Sequence, residues 1–366
     1  MEISQLYIYP IKGLRPTSVP SSTLTPHGFP HDRLFMLHRI YPDGTKKKTV
    51  NVPYFPITSR FLTDIVFPDD DGKGGKIIVT FHPPPGEDGE SRGEARTLEV
   101  PLEPDVAGLE TVDIDLQESP TKAYHMGEKY DSWFGECFGF EVEFAYIGEG
   151  RRRVLGSLNP NAPVGAEGGQ KKADGGGGWL SSISSSISNI TGGAKPGSQE
   201  EGIITFADFA SYLVVSETSK DEVSTRLPEG EEMDITKFRP NIVVKGAPEA
   251  FEEDFWGELK IGESDDARVA LTANCARCIS LNVDYETGKF GTGESGSVLK
   301  KLMRDRRVDM GEKYSPVFGR YGFLGKSSSG NPGIAVGDKV EVTKRNEERT
   351  KLCEFAGFCR IYTDGD

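Results

Sequence analysis

The run Asn274-Cys275-Ala276-Arg277-Cys278 brings a thiol pair, a guanidinium and an amide close together. Upstream, Thr236-Lys237-Phe238-Arg239-Pro240-Asn241 adds a second guanidinium and a second amide. A soft thiolate can hold a soft metal. Arginine forks suit phosphate and the edges of planar heterocycles. The combination points to a metal with an anionic organic ligand, held by one cysteine and clamped by arginines. The spacing of the cysteines alone admits three readings. Structural zinc needs four ligands, and neither the other cysteines nor His27, His31, His38, His82 and His125 supply a second pair at zinc-site spacing. A dithiol redox pair normally opens a helix in a βαβ setting, whereas Ile279 to Val283 reads as a strand. In the third reading one cysteine ligates a metal and the other stands by.

Several elements must position these groups. Residues 1–150 read as a β-rich unit, with strand-like runs at Ile3–Tyr9, Arg33–Leu37, Lys76–Phe81 and Thr97–Val100. A helix is expected from Pro120 to Phe138, burying Tyr130, Trp133, Phe134 and Cys137. Residues 151–202 form a Gly/Ser-rich insert, expected to be exposed and mobile. Within it, Leu180, Ile183, Ile187 and Ile190 recur at helical period on a serine-rich, uncharged background. The first reading of Trp179–Ile190 is a flexible segment resting on the protein surface. The second is a peripheral membrane contact. A second unit spans 203–350, with a capping box at Ser219-Lys220-Asp221-Glu222, a strand at Ile242–Val244, a helix around Val298–Met303 and a hairpin over Ile334–Val342. Residues 351–366 are a tail carrying Cys353 and Cys359, which fit core, free thiols or a disulfide equally. With no dinucleotide or P-loop fingerprint, the expected class is mixed and β-rich: a β-barrel with peripheral helices beside an N-terminal β-rich domain.

Composition narrows the function. The chain has 366 residues and a net charge of −14, from 43 basic and 57 acidic residues. That balance argues against nucleic-acid binding. Basic runs at Arg151–Arg153, at Lys300-Lys301 with Arg304, Arg306 and Arg307, and at Lys344–Lys351 read first as solvated surface, and second as a docking patch for an acidic partner. Few cysteines, no signal peptide and no apolar run of transmembrane length make an intracellular, reducing location the expectation.

Five motifs in order resemble one family. Tyr9-Pro10-Ile11-Lys12-Gly13 and Asp32-Arg33-Leu34-Phe35-Met36 are similar to the N-terminal β-barrel region of MOSC proteins. Thr236–Ile242, Asn274–Cys278 and Tyr314-Ser315-Pro316-Val317-Phe318-Gly319 are similar to the MOSC domain of molybdenum-cofactor proteins, with order and spacing nearest the mitochondrial amidoxime-reducing branch. The resemblance covers nearly the whole chain outside the insert. It implies a molybdenum cofactor (Mo-molybdopterin), with Cys278 as the metal ligand. Lys12, Gly13, Arg33, Asp208, Phe209, Ala210, Arg239, Asn241 and Arg277 would hold the cofactor. The family's Lys-Ser becomes Lys12-Gly13, and its Asp-Thr-Ser becomes Asp208-Phe209-Ala210, so hydroxyl contacts are lost at three positions. Ser216 and Glu217 match a Ser-Glu pair downstream. The implied activity is reduction of N-hydroxylated compounds such as amidoximes, hydroxylamines and N-hydroxylated bases. Cys278, Asp208 and Arg277 are the catalytic candidates, with Asp208 for proton relay or substrate positioning. The implied electron donors are cytochrome b5 and NADH-cytochrome b5 reductase, docking on a patch that Arg304, Arg306 and Arg307 could form. The implied place is the cytosolic face of the mitochondrial outer membrane, or the cytoplasm without an anchor. A non-catalytic cofactor carrier is the alternative. A cofactor-sulfurase domain ranks behind it, because the chain leaves no room for a pyridoxal-phosphate domain.

Overall fold

The computed structural model describes residues 1–352 except 43, 45–46, 70, 72–73, 87–92, 156–157, 159–201 and 327–329. The Trp179–Ile190 segment, Cys353 and Cys359 lie outside the described residues.

An eight-stranded sheet carries the site. Its spatial order is Thr17–Val19, Glu2–Ile8, Ile242–Lys245, Tyr212–Ser216, Val317–Leu324, Arg268–Ala276, Trp256–Ile261 and Val340–Arg345. Tyr212–Ser216 runs parallel to Ile242–Lys245, and the other neighbours are antiparallel. Tyr212–Ser216 is buried at every residue, as expected of a strand covered on both faces. The far end of the sheet returns to its beginning. Val340 N donates to Met1 O at 2.9 Å, Ile3 N donates to Asp338 O at 2.9 Å, and Glu2 bridges Lys339. The sheet thus curls into a barrel, the arrangement that removes exposed strand edges. Glu2–Ile8 sits inside this barrel sheet, so strands from both sides of the insert build it.

Most of the remaining N-terminal strands form a five-stranded sheet (Lys47–Thr49, Phe35–Ile40, Val142–Tyr146, Ser119–His125, Thr111–Leu116) and a three-stranded one (Phe61–Val66, Lys76–Phe81, Arg96–Pro101). Phe61–Val66 alternates strictly, burying Phe61, Thr63 and Ile65, which is the period of a sheet with one wet face. The helix Glu128–Phe138 buries Phe134 and Cys137. Phe61, Phe138 and Phe144 pack with Phe134 in an aromatic cluster, with ring centroids 4.5–6.3 Å apart among the contacting pairs. One hydrophobic core runs from Ile3 and Leu6 through Phe134 to Trp256 and Val269.

Four local expectations change. The helix starts at Glu128 rather than Pro120, because residues 119–124 pair one for one with Thr111–Leu116, and Gly127 at φ 92 turns the chain between strand and helix. Ser219 does not cap a helix. The helix spans Glu217–Ser224, and Ser219 Oγ donates to Glu253 Oε2 at 2.7 Å from within it. Gly333–Ala335 and Val340–Arg345 make no hairpin, because the first pairs with Ser21–Thr23 and the second with Trp256–Ile261. Ile279–Asn282 is a 3-10 turn, followed by the short strand Val283–Asp284. Among the described residues no helix is long and apolar enough to cross a membrane.

Candidate functional site

Loops leaving the barrel strands converge on Asp208. Lys12 follows the first strand and is buried; its Nζ donates to Phe206 O at 2.9 Å and forms a close ion pair with the Asp208 carboxylate. Arg33 is also buried. It pairs with Asp32, donates to Asn241 Oδ1 at 3.2 Å and to Arg239 O at 3.3 Å. Asn241 is buried and locked at both ends of its amide. Nδ2 donates to Tyr7 O at 3.2 Å, while Oδ1 also accepts from Leu213 N at 3.2 Å. Arg239 donates from Nη1 to Leu14 O at 2.9 Å. Arg33 and Arg239 both occupy the left-handed region, at φ 53 and φ 57. Non-glycine residues rarely sit there, and such strain gathers at functional sites.

The electrostatics leave positive charge in excess. Both arginines lie over the Tyr9 ring, at 4.6 Å and 4.4 Å, and the buried Tyr9 hydroxyl has no hydrogen-bond partner among the described residues. Burial pulls the Lys12 ammonium below its ordinary pKa, even with Asp208 beside it. Burial likewise lowers Arg239. Burial opposes ionisation of Asp208, but Lys12, then Arg33 and Arg239, hold its carboxyl below the ordinary range. Its side chain is 53% exposed, so this carboxylate reaches solvent. Three clustered cations answered by Asp32 and Asp208 leave a position that an anion would complete.

The two cysteines part ways. Cys275 is buried on the Arg268–Ala276 strand, inside an apolar cluster with Leu281 and Phe318. Cys278 is half-buried at the start of the 3-10 turn, with Sγ 3.2 Å from Ser280 Oγ. Burial raises both thiols; at Cys278, Ser280 and Arg277 oppose that rise while the Asp208 charge adds to it. Among the described residues no three His, Cys, Asp or Glu side chains converge on one point. Of the two thiols Cys278 is the less buried, and without such a cluster most ligands of a metal held there would have to come from a bound organic group. That agrees with the cation cluster and the orphaned Tyr9 hydroxyl, so the residues fit a molybdopterin-type ligand.

Other candidates take bracing places. Arg277 donates to Phe318 O at 2.9 Å and 2.7 Å and to Phe238 O at 2.7 Å. It thus ties the end of the cysteine strand to the turn that presents Arg239. Asn274 turns away from the thiols: its Oδ1 accepts from Arg320 at 2.6 Å and its Nδ2 donates to Asp309 at 3.2 Å. Gly13 adopts φ 90, and a Cβ there would meet Val50 O at 2.7 Å. Ala210 is buried in a satellite apolar cluster, with Phe209 packed against it. Ser216 and Glu217 lie at the far end of the Tyr212–Ser216 strand from Asp208. Of the arginines expected on the surface, Arg306 is buried against Asp254 at 2.7 Å and 2.8 Å, which removes it from any docking patch, while Arg304 and Arg307 stay exposed. Arg152 is buried too, donating to Leu116, Ser119, Thr205 and Ala207 carbonyls. Tyr9 and Asp32 belong to the site without having been singled out. Both stand inside the N-terminal motifs, and Asp32 precedes the arginine that it holds.

Residues 1–141 match the family model of the MOSC N-terminal beta barrel domain, and residues 201–341 match that of the MOSC domain. The chain is 37% identical over 142 residues to mitochondrial amidoxime-reducing component 1 of Homo sapiens, covering 37% of this chain and 38% of that protein. It is 38% identical over 138 residues to mitochondrial amidoxime reducing component 2 of Rattus norvegicus, with 37% and 38% covered. The match to component 1 of Danio rerio is 36% over 118 residues, covering 32% and 34%. The aligned part thus spans under two-fifths of each of these relatives.

Proposed function

Since the chain is a MOSC-domain protein, carrying both the MOSC N-terminal beta barrel domain and the MOSC domain, we propose that it is a molybdenum-cofactor-dependent oxidoreductase that reduces N-hydroxylated compounds. The observation that carries this reading is the half-buried Cys278 thiol, which feels the charge of Asp208, the carboxylate on which Lys12, Arg33 and Arg239 also act. The bound cofactor would supply two-electron oxygen-atom chemistry, so that N–OH becomes N–H and, with two electrons and two protons, water is released. Lys12, Arg33 and Arg239 would neutralise the cofactor's phosphate, and Cys278 would hold the metal. Arg277 positions Cys278 relative to Arg239. Asp208, held ionised at neutral pH, is a hydrogen-bond acceptor rather than an acid. It would orient the N–H groups of an amidoxime where it reaches solvent, or receive a proton there.

Electrons would come from cytochrome b5 and its NADH-dependent reductase, and the place of action would be the mitochondrial outer membrane, in keeping with the relatives' printed names as mitochondrial proteins. Metal analysis with amidoxime turnover tests the core of the reading. In protein made by a host that supplies the cofactor, Cys278→Ala is expected to lose molybdenum and turnover, and Cys275→Ala to keep most of both. The reverse ranking refutes the ligand assignment. Stoichiometric cofactor in an inactive wild type would select the carrier function instead.

A further inference from the structure

A cavity of about 490 Å³ opens next to the segment that carries Arg33. His31 and Leu34 line it, while Arg33, between them, turns to Tyr9 and Asn241. Its volume is within the range of small-molecule sites, about 300–1,000 Å³.

The walls are aromatic. Tyr124 and Tyr146 are directly paired across adjacent strands, so their rings share one face of the sheet. Gly148, at φ 53, lies against both: a Cβ there would come within 2.6 Å of Tyr124 Cε2 and 3.7 Å of Tyr146 Cε1. The glycine lets the rings close in. One face of Tyr146 stacks on Phe35 at 4.8 Å, which fixes that ring in place.

The polar groups are acceptors. His31 Nδ1 is buried and has no partner among the described residues. His27 Nδ1 lies 3.4 Å from Ile203 O; donating there, the ring keeps a lone pair on Nε2. Burial lowers both imidazoles, so both are neutral at pH 7. Glu103 and Glu149 add two carboxylates, and both raise the Tyr146 phenol after burial has done so. Arg151, the one lining cation among the described residues, donates from Nη1 to Gly148 O at 2.8 Å and Gly150 O at 2.6 Å, which engages it with the rim backbone.

We propose that this cavity binds a flat aromatic cation rich in N–H donors, of the aryl amidinium or aryl guanidinium class. Its ring would rest among Tyr124, Tyr146 and Phe29, which also lines the cavity. Its N–H groups would meet the imidazole lone pairs and the two carboxylates, with cation–π attraction adding to both. Binding here needs neither metal nor electron donor.

The test is calorimetric titration of the full chain with phenylguanidinium, with benzyl alcohol and benzoate as neutral and anionic ring controls. Saturable one-to-one binding is expected, weakened about tenfold or more by Glu103→Gln with Glu149→Gln and by Tyr124→Leu. The double variant alters exposed carboxylates, so it should fold as the wild type does. Glu347→Gln with Glu348→Gln, which removes the same charge from another exposed stretch, should bind unchanged. Equal binding by the Glu103/Glu149 variant, benzoate binding as tightly as phenylguanidinium, or no saturation below about 10 mM would each overturn the proposal.

Discussion

Gly13 departs from the family's Lys-Ser pattern, and the backbone accounts for it. At φ 90, with Val50 O 2.7 Å from where a Cβ would stand, a serine would be both strained and crowded. Gly13→Ser should therefore lower stability by about 1–3 kcal/mol in denaturant titration; an unchanged midpoint would contradict the assigned backbone. Tyr9 makes the complementary case. Its hydroxyl is buried without a partner, so Tyr9→Phe should cost the cofactor-free protein nothing. Loss of bound pterin in that variant, read by the fluorescence of released oxidised pterin, would mean that the hydroxyl serves the ligand. Full retention would mean that it does not. The cation cluster of the candidate site was legible at this scale, because Lys12, Arg33, Arg239 and Asn241 all stand inside recognisable motifs. The bracing of Arg277 was not, since its acceptors are backbone carbonyls about 40 residues away in each direction.

Elements were readable where local pattern and partner agreed. Lys76–Phe81 alternates, and its two flanking partners respect that alternation. They were misread where a distant partner prevailed: the hairpin expected over Ile334–Val342 yields to strands far away in the chain, and Ser219 spends its hydroxyl on Glu253. The accepting carboxyl has a measurable property of its own. Glu253 is fully buried and its Oε1 has no partner among the described residues; burial raises its pKa from 4.5 to about 7, with the Ser219 bond opposing the rise and Asp254 adding to it. A carboxyl raised in the folded state contributes fully below its unfolded pKa, and that contribution is lost as pH rises through the folded value. Wild-type stability should thus fall relative to Glu253→Gln between about pH 4.5 and pH 8, by up to about 3 kcal/mol. Parallel curves for the two proteins across that span would rule this out.

At the scale of the molecule, a net charge of −14 would repel an acidic electron donor of the proposed kind, so its docking would need a local cationic face. With Arg306 buried, Arg304 and Arg307 are what remain of the expected patch. If they serve, Arg304→Glu with Arg307→Glu should slow turnover driven by the protein donor about tenfold at low salt. Turnover driven by a small chemical reductant should stay unchanged. Equal loss in both assays would place the effect within the site instead. The closed barrel carries a different implication, for the chain as it is being made. Ile3 finds its neighbour in Val244, which leaves the ribosome roughly 12–50 s later at about 5–20 residues per second. Through that interval Glu2–Ile8 has only the short strand Thr17–Val19 on one side, and its other edge is unpaired. Nascent-chain capture by holdase chaperones should therefore persist until the Ile242–Lys245 strand has emerged, and then fall away.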